Sequence, residues 1–182
     1  MPLPTPENGP MQAGSEITET TITETAITET TSTETTWSSE QNPEQQNIEP
    51  LFHGAQNHCF GCGPGNSVGL QLKFSTLPDE TVICSTSISD SYEGPPGYLH
   101  GGIIATLLDE AMSKANRARG VTAMTRQMQV EYLRPVASNG LIQIEGRVTR
   151  SEGRKHWTTA QILNAGGTIL AHATGLFIAI SR

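Results

Sequence analysis

The first fifty residues contain no Lys and no Arg. They hold nine Glu, so this stretch carries a formal charge of −9. All eleven basic residues fall in residues 51–182, beside nine acidic ones, which leaves that part at +2. The overall −7 is therefore the charge of the tail. A slightly basic remainder excludes bulk affinity for nucleic acid, although it leaves room for a local phosphate site. Cysteine is also scarce. Three residues, an odd count, give no disulfide framework and suit a reducing compartment. No apolar run approaches the roughly 18 residues of a membrane span. The opening "MPLPTPENGP" lacks the basic and apolar regions of a secretory leader. The expectation is a soluble cytoplasmic protein with neither membrane nor nucleic acid as partner.

What the tail does contain is a repeat. Residues 17–36 read ITETT ITETA ITETT STETT, four copies of a five-residue unit. Period five matches neither a helix face nor a strand face. The unit offers too little apolar surface to offset the entropy of ordering. Residues 1–50 are expected to be a disordered acidic tail, and residues 51–182 the folded domain.

The domain reads as strands around a single helix. GLQLKFST and TVICSTSIS suggest two strands separated by the turn LPDE. AMTRQMQVEYLRP alternates, with Met124, Met128, Val130 and Tyr132 on one face and Thr125, Gln127, Gln129 and Glu131 on the other. GLIQIEGRVTR, KHWTTAQILN and TILAHATGLFIAI follow as an antiparallel meander. The pattern predicts an α+β domain, one antiparallel sheet packed on one long helix.

That helix carries the anomaly. In YLHGGIIATLLDEAM the apolar residues from Ile103 to Ala115 cover most of the circumference, as in a helix buried nearly all round. Lys114, Arg117 and Arg119 gather near its end, and Gly120 is a plausible stop. Yet Asp109 and Glu110 sit in its middle. A buried carboxylate is either paired or kept for chemistry. One reading is an ion pair within the domain. The other is a general base or nucleophile in a partly dry cleft. At the helix start, Gly101 and Gly102 expose unpaired backbone N–H groups suited to a developing oxyanion, with His100 just before them. On this reading an acyl group lying along the helix meets both ends. The glycines also permit close helix–sheet approach, and His100 also serves as a cap.

YLHGGIIATLLDEAM resembles the active-site segment of the hotdog-fold acyl-coenzyme A thioesterases, nearest the phenylacetate-pathway type and the thioesterase-superfamily-member type. HCFGCGPGNSVGLQLKF is similar to the segment that opens many such domains, so the resemblance spans residues 57–180. It implies a sheet wrapped round one central helix and a homodimer, or dimer of dimers, that builds the active site. It implies hydrolysis of an acyl-CoA thioester, with coenzyme A part of the substrate and no separate cofactor. It gives Asp109 as the catalytic carboxylate and Gly101 or Gly102 as the amide that polarises the carbonyl. His100 positions the region, and Thr125, brought across the dimer interface, orients water or carboxylate. Where some relatives carry Asn six residues before the His, this chain has Gly94, so it is similar to the His/Asp/Thr variant. Glu110 is expected to be structural. Aromatic, short and long acyl chains are all compatible.

Other features stay open. Cys59 and Cys62 form a C-x-x-C with His53 and His58 nearby. A second ligand pair is missing, so no metal is expected, and a tight turn with small buried thiols is the reading preferred. Arg147, Arg150, Arg154 and Lys155 cluster around one hairpin, with Arg126 and Arg134 on the strand before it. They form either a solvated face or a grip on the coenzyme's phosphates, with Arg126, Arg134, Arg154 and Lys155 as candidate substrate contacts. Two rivals remain: a non-catalytic module that binds acyl-CoA, and a hotdog dehydratase or hydratase using His100 as base.

Overall fold

The computed structural model describes residues 48–181 apart from His53. The tail repeat and most of the expected acidic tail lie outside the described residues. The elements are β1 (Glu49–Pro50), β2 (Ser75–Thr76), β3 (Val82–Ser87), a 3-10 turn (Asp90–Tyr92), α1 (Gly101–Ala118), β4 (Thr122–Tyr132), β5 (Leu141–Glu152), β6 (Lys155–Asn164) and β7 (Ile169–Ser181). The strands form one antiparallel sheet in the order β1-β2-β3-β5-β6-β7-β4. Consecutive β5, β6 and β7 make the expected meander, while β4 returns to the far edge beside β7.

The sheet curls round α1. Its inward residues alternate along each strand, as the two-residue period requires. They include Ile142, Ile144 and Val148 of β5, Ala160 and Ile162 of β6, and Ala171, Ala173 and Phe177 of β7. Against them α1 sets Ile104, Leu107, Leu108, Ala111, Met112 and Ala115. Burial of each large side chain contributes about 1.5–3 kcal/mol. The helix and sheet touch most tightly at Gly146, where an added Cβ would lie 2.5 Å from the Ala111 carbonyl oxygen. The close approach thus belongs to a strand glycine. The Gly101–Gly102 pair faces Tyr132 and His100 instead, at 3.1 Å or more.

Both helix ends have local causes. His100 is the N-cap, in extended conformation (φ −62°, ψ 139°), and its Nδ1 accepts the Gly102 N–H at 3.0 Å. At the other end Gly120 adopts φ +72°, left-handed, and its N–H donates to the Arg117 carbonyl at 2.9 Å.

Two sequence expectations need correction. GLQLKFST is mostly not a strand, since Gln71 has φ +49° and only Ser75–Thr76 joins the ladder. The N–H groups of Leu70 and Leu72 instead donate to the carbonyls of Phe60 and Gly61, at 2.8 and 2.9 Å. This segment therefore closes over the C-x-x-C loop, with Leu72 and Phe74 buried beneath it. The second correction concerns β4. Thr125 pairs with Phe177 and Gln127 with Leu176, so Arg126 is an extra residue, a β-bulge. The bulge inverts the alternation before it. Thr125 shares the helix-facing side with Met128 and Val130, which pair with Gly175 and Ala173. Met124 goes to the opposite side, 61% exposed.

Candidate active site

The two adjacent carboxylates of α1 part company because neighbouring helix positions point about 100° apart. Glu110 turns toward the C-x-x-C loop and is buried. Its Oε1 lies 2.9 Å from the Lys114 ammonium, without the alignment of a hydrogen bond. Burial alone would lower the Lys114 pKa, but Glu110 and Cys62 beside it together raise it. Lys114 is therefore a buried partner and no part of an exposed basic helix end. Of the other two cations there, Arg117 donates to Thr122 Oγ1 and Arg119 to Glu80.

Asp109 turns the other way, toward β4, and is half-buried. The Thr125 hydroxyl donates to its Oδ1 at 2.6 Å. Among the described residues its Oδ2 makes no hydrogen bond and no cation pairs with it. Burial pushes the Asp109 carboxyl pKa up, the Thr125 hydrogen bond opposes this, and the charge of Glu110 adds to the rise. The result is a carboxylate oriented by one hydroxyl and left with a free oxygen. The sequence reading brought Thr125 from a partner subunit. Here it meets Asp109 within one chain, because the bulge at Arg126 aims it inward.

At the helix start the two glycines also separate. The Gly102 N–H is taken by His100 Nδ1. The Gly101 N–H has no acceptor among the described residues, so it is the amide available to an oxyanion. Its carbonyl accepts from the Tyr132 hydroxyl at 3.1 Å, which fastens this end of α1 to the end of β4. Gly101 and Asp109 are eight residues apart on one helix, about 12 Å at 1.5 Å per residue. A single thioester carbonyl spans a fraction of that. The expectation that one acyl group meets both ends within a chain therefore fails on length.

The candidate substrate contacts are dispersed. Arg134 donates to the Ile169 carbonyl at 3.0 Å and Arg154 to the Ala179 carbonyl at 2.9 Å, at opposite ends of β7. Ten residues of strand put them about 30 Å apart. Lys155 opens β6 beside Arg154, while Arg126 stands in the bulge next to Thr125. They do not make one phosphate grip. Arg150 is likewise engaged, paired with Glu152 and stacked 4.5 Å over the Trp157 ring.

An antiparallel sheet curled round one long helix, with a carboxylate at mid-helix and an open amide at its start, defines the hotdog class. A family model described as the thioesterase superfamily matches residues 96–171. The acyl-coenzyme A thioesterase THEM4 of Xenopus laevis is 32% identical over 106 residues, covering 58% of this chain and 48% of the relative. The chain spans about half the length of the THEM4 relatives it matches. A solved thioesterase superfamily protein is 32% identical, with a TM-score of 0.65, covering 69% of this chain and 62% of its own. A hypothetical thioesterase from Streptococcus pneumoniae shares the fold at 20% identity and TM-score 0.57, covering 61% and 91%. That protein has been solved with coenzyme A, and as alanine variants of an Asp and of a Thr sixteen residues further on.

Proposed function

We propose that this protein hydrolyses the thioester of an acyl-coenzyme A to the free acid and coenzyme A. The observation that carries the reading is the Asp109–Thr125 pair, a half-buried carboxylate with one oxygen held at 2.6 Å and the other open. Asp109 acts as general base. Its free oxygen takes a proton from water, whose oxygen attacks the thioester carbon. The carbonyl oxygen gains negative charge and is held by the Gly101 N–H. The tetrahedral intermediate then collapses, the C–S bond breaks, and the coenzyme thiolate leaves and takes up a proton. The sixteen-residue spacing of Asp and Thr variants in the streptococcal thioesterase supports the pairing of Asp109 with Thr125.

The 12 Å between Gly101 and Asp109 makes the working unit two copies. Antiparallel helices across a two-fold axis bring Gly101 of one copy to Asp109 of the other. The free edge of the sheet suits this arrangement. β4 is eleven residues long, is unpaired on its outer side among the described residues, and exposes Met124 and Tyr132. Arg126, beside Thr125, is the candidate contact for a coenzyme phosphate, a role the distant Arg134 does not share.

His100 caps the helix through Nδ1, so the ring a hydratase would use as base already holds the Gly102 amide. This favours hydrolysis. Asp109→Asn tests the reading. Thiol release from acyl-CoA should fall by about 10²- to 10⁴-fold, the usual worth of a positioned general base, while the thermal midpoint stays within a few degrees. Full turnover in that variant would remove Asp109 from the mechanism, and a wild type that binds acyl-CoA without releasing thiol would make the chain a binding module.

A further inference from the structure

A second cluster of reactive groups gathers about Glu110, roughly 100° round α1 from Asp109. Cys59 Sγ, Cys62 Sγ and the Glu110 carboxylate lie within 4.8 Å of one another. Cys62 and Glu110 are buried and Cys59 is half-exposed. The sequence set metal aside because a second ligand pair is missing, and the fold brings a carboxylate to the two thiols from 51 residues after Cys59. We propose that Cys59, Cys62 and Glu110 form a binding site for a thiophilic divalent cation of the zinc class.

The spacing fits such an ion. Zinc bonds to thiolate at about 2.3 Å and to carboxylate oxygen at about 2.0–2.2 Å, which at a tetrahedral angle separates S and O by about 3.6 Å. Cys59 Sγ and Glu110 Oε2 are 3.6 Å apart. The carboxylate is divided between two duties. Oε2 faces the thiols, while Oε1 faces Lys114. A second-sphere partner of this kind fixes a ligating carboxylate in place. The loop is also shaped round that carboxylate. A Cβ at Gly61, between the two cysteines, would lie 2.5 Å from Glu110 Oε2, and one at Gly63 would lie 2.4 Å from the Cys59 nitrogen. A side chain at 61 would push the Glu110 carboxylate aside, whereas one at 63 would meet backbone.

Charge balance agrees. The cluster sets two cysteine sulfurs beside the Glu110–Lys114 pair. Binding M²⁺ releases a proton from each thiol to solvent, and the cluster stays neutral: one dication and Lys114 against two thiolates and Glu110. Solvent at the half-exposed Cys59 supplies the fourth ligand.

The site is independent of thioester hydrolysis, so its test reads metal directly. Full-chain protein, reduced and freed of metal, is titrated with Co²⁺ and then Zn²⁺. The expected result is one Co²⁺ per chain, with thiolate-to-cobalt charge-transfer absorption that one equivalent of Zn²⁺ abolishes. Cys59→Ser and Cys62→Ser should each lose about half of the charge-transfer absorption and bind at least about 10-fold more weakly. The control Cys84→Ser, in the apolar strand β3, should keep both. Circular dichroism of each metal-free variant checks that the fold persists. Reduced wild type without the band, or a band unchanged in both Cys59→Ser and Cys62→Ser, overturns the proposal. If a cysteine variant fails to fold, the wild-type titration still decides: a thiolate-to-cobalt band that saturates at one equivalent supports the site, and its absence rejects it.

Discussion

Asp109 and Glu110 are chemically near-identical, and their surroundings decide what each can do. Glu110 meets a lysine one helical turn on and two thiols from a distant loop, so its charge is fully engaged. Asp109 meets one hydroxyl. The sequence shows that two carboxylates interrupt an apolar helix, and family spacing from His100 selects Asp109. It does not show why Glu110 is tolerated, because its partners Cys59 and Lys114 become neighbours only when the loop folds back on the helix. The Thr125 hydroxyl is the most direct test at this scale. Thr125→Val keeps the shape and removes the donor, so kcat should fall about 10- to 100-fold, in line with the loss of a charge-assisted hydrogen bond of about 1.5–3 kcal/mol. Thr125→Ser should restore most of it. Equal activity in Val and Ser variants, measured by thiol release at saturating substrate, would show that the hydroxyl does not orient Asp109.

At the scale of elements, α1 was the most legible. Its apolar run, the His100 cap and the Gly120 stop are all local signals, and all appear in the fold. The meander β5-β6-β7 was legible for the same reason, since alternation and short turns are contained within it. β4 was only half legible. Its position as a strand follows from alternation, but one extra residue at Arg126 exchanges the faces of what precedes it, and a bulge leaves no mark in a count of apolar residues. Segment 69–74 was misread because Leu70, Leu72 and Phe74 alternate like a strand yet serve as a lid over the C-x-x-C turn. The packing of α1 on the sheet makes its own prediction. Gly146→Ala places a methyl 2.5 Å from a backbone oxygen that cannot swing aside. It should cost about 1–3 kcal/mol, as overpacking does. Gly167→Ala, in an open turn at φ +76°, carries backbone strain alone and should cost about 1 kcal/mol. Urea denaturation of the two variants gives the comparison.

For the whole molecule, the candidate arginines are dispersed and Gly101 and Asp109 stand about 12 Å apart along one helix, which is why the proposed site takes two copies. The composition could not reveal this, because counting Arg126, Arg134, Arg154 and Lys155 says nothing of the strand length between them. The free Gly101 amide can be removed cleanly. Gly101 is the first helical residue, where proline is tolerated, and His100 already has the extended conformation that proline demands of its predecessor. Gly101→Pro should therefore fold normally and lose about 10²- to 10³-fold in kcat. The division of labour has a genetic consequence. If the amide and the carboxylate come from different copies, Gly101→Pro and Asp109→Asn chains are each inactive alone but rescue one another when co-expressed. A mixed dimer pairs the intact amide of one chain with the intact carboxylate of the other, at one of its two sites. Half of randomly assembled dimers are mixed, so about a quarter of wild-type activity should return. No return of activity would place both groups in a single chain's site.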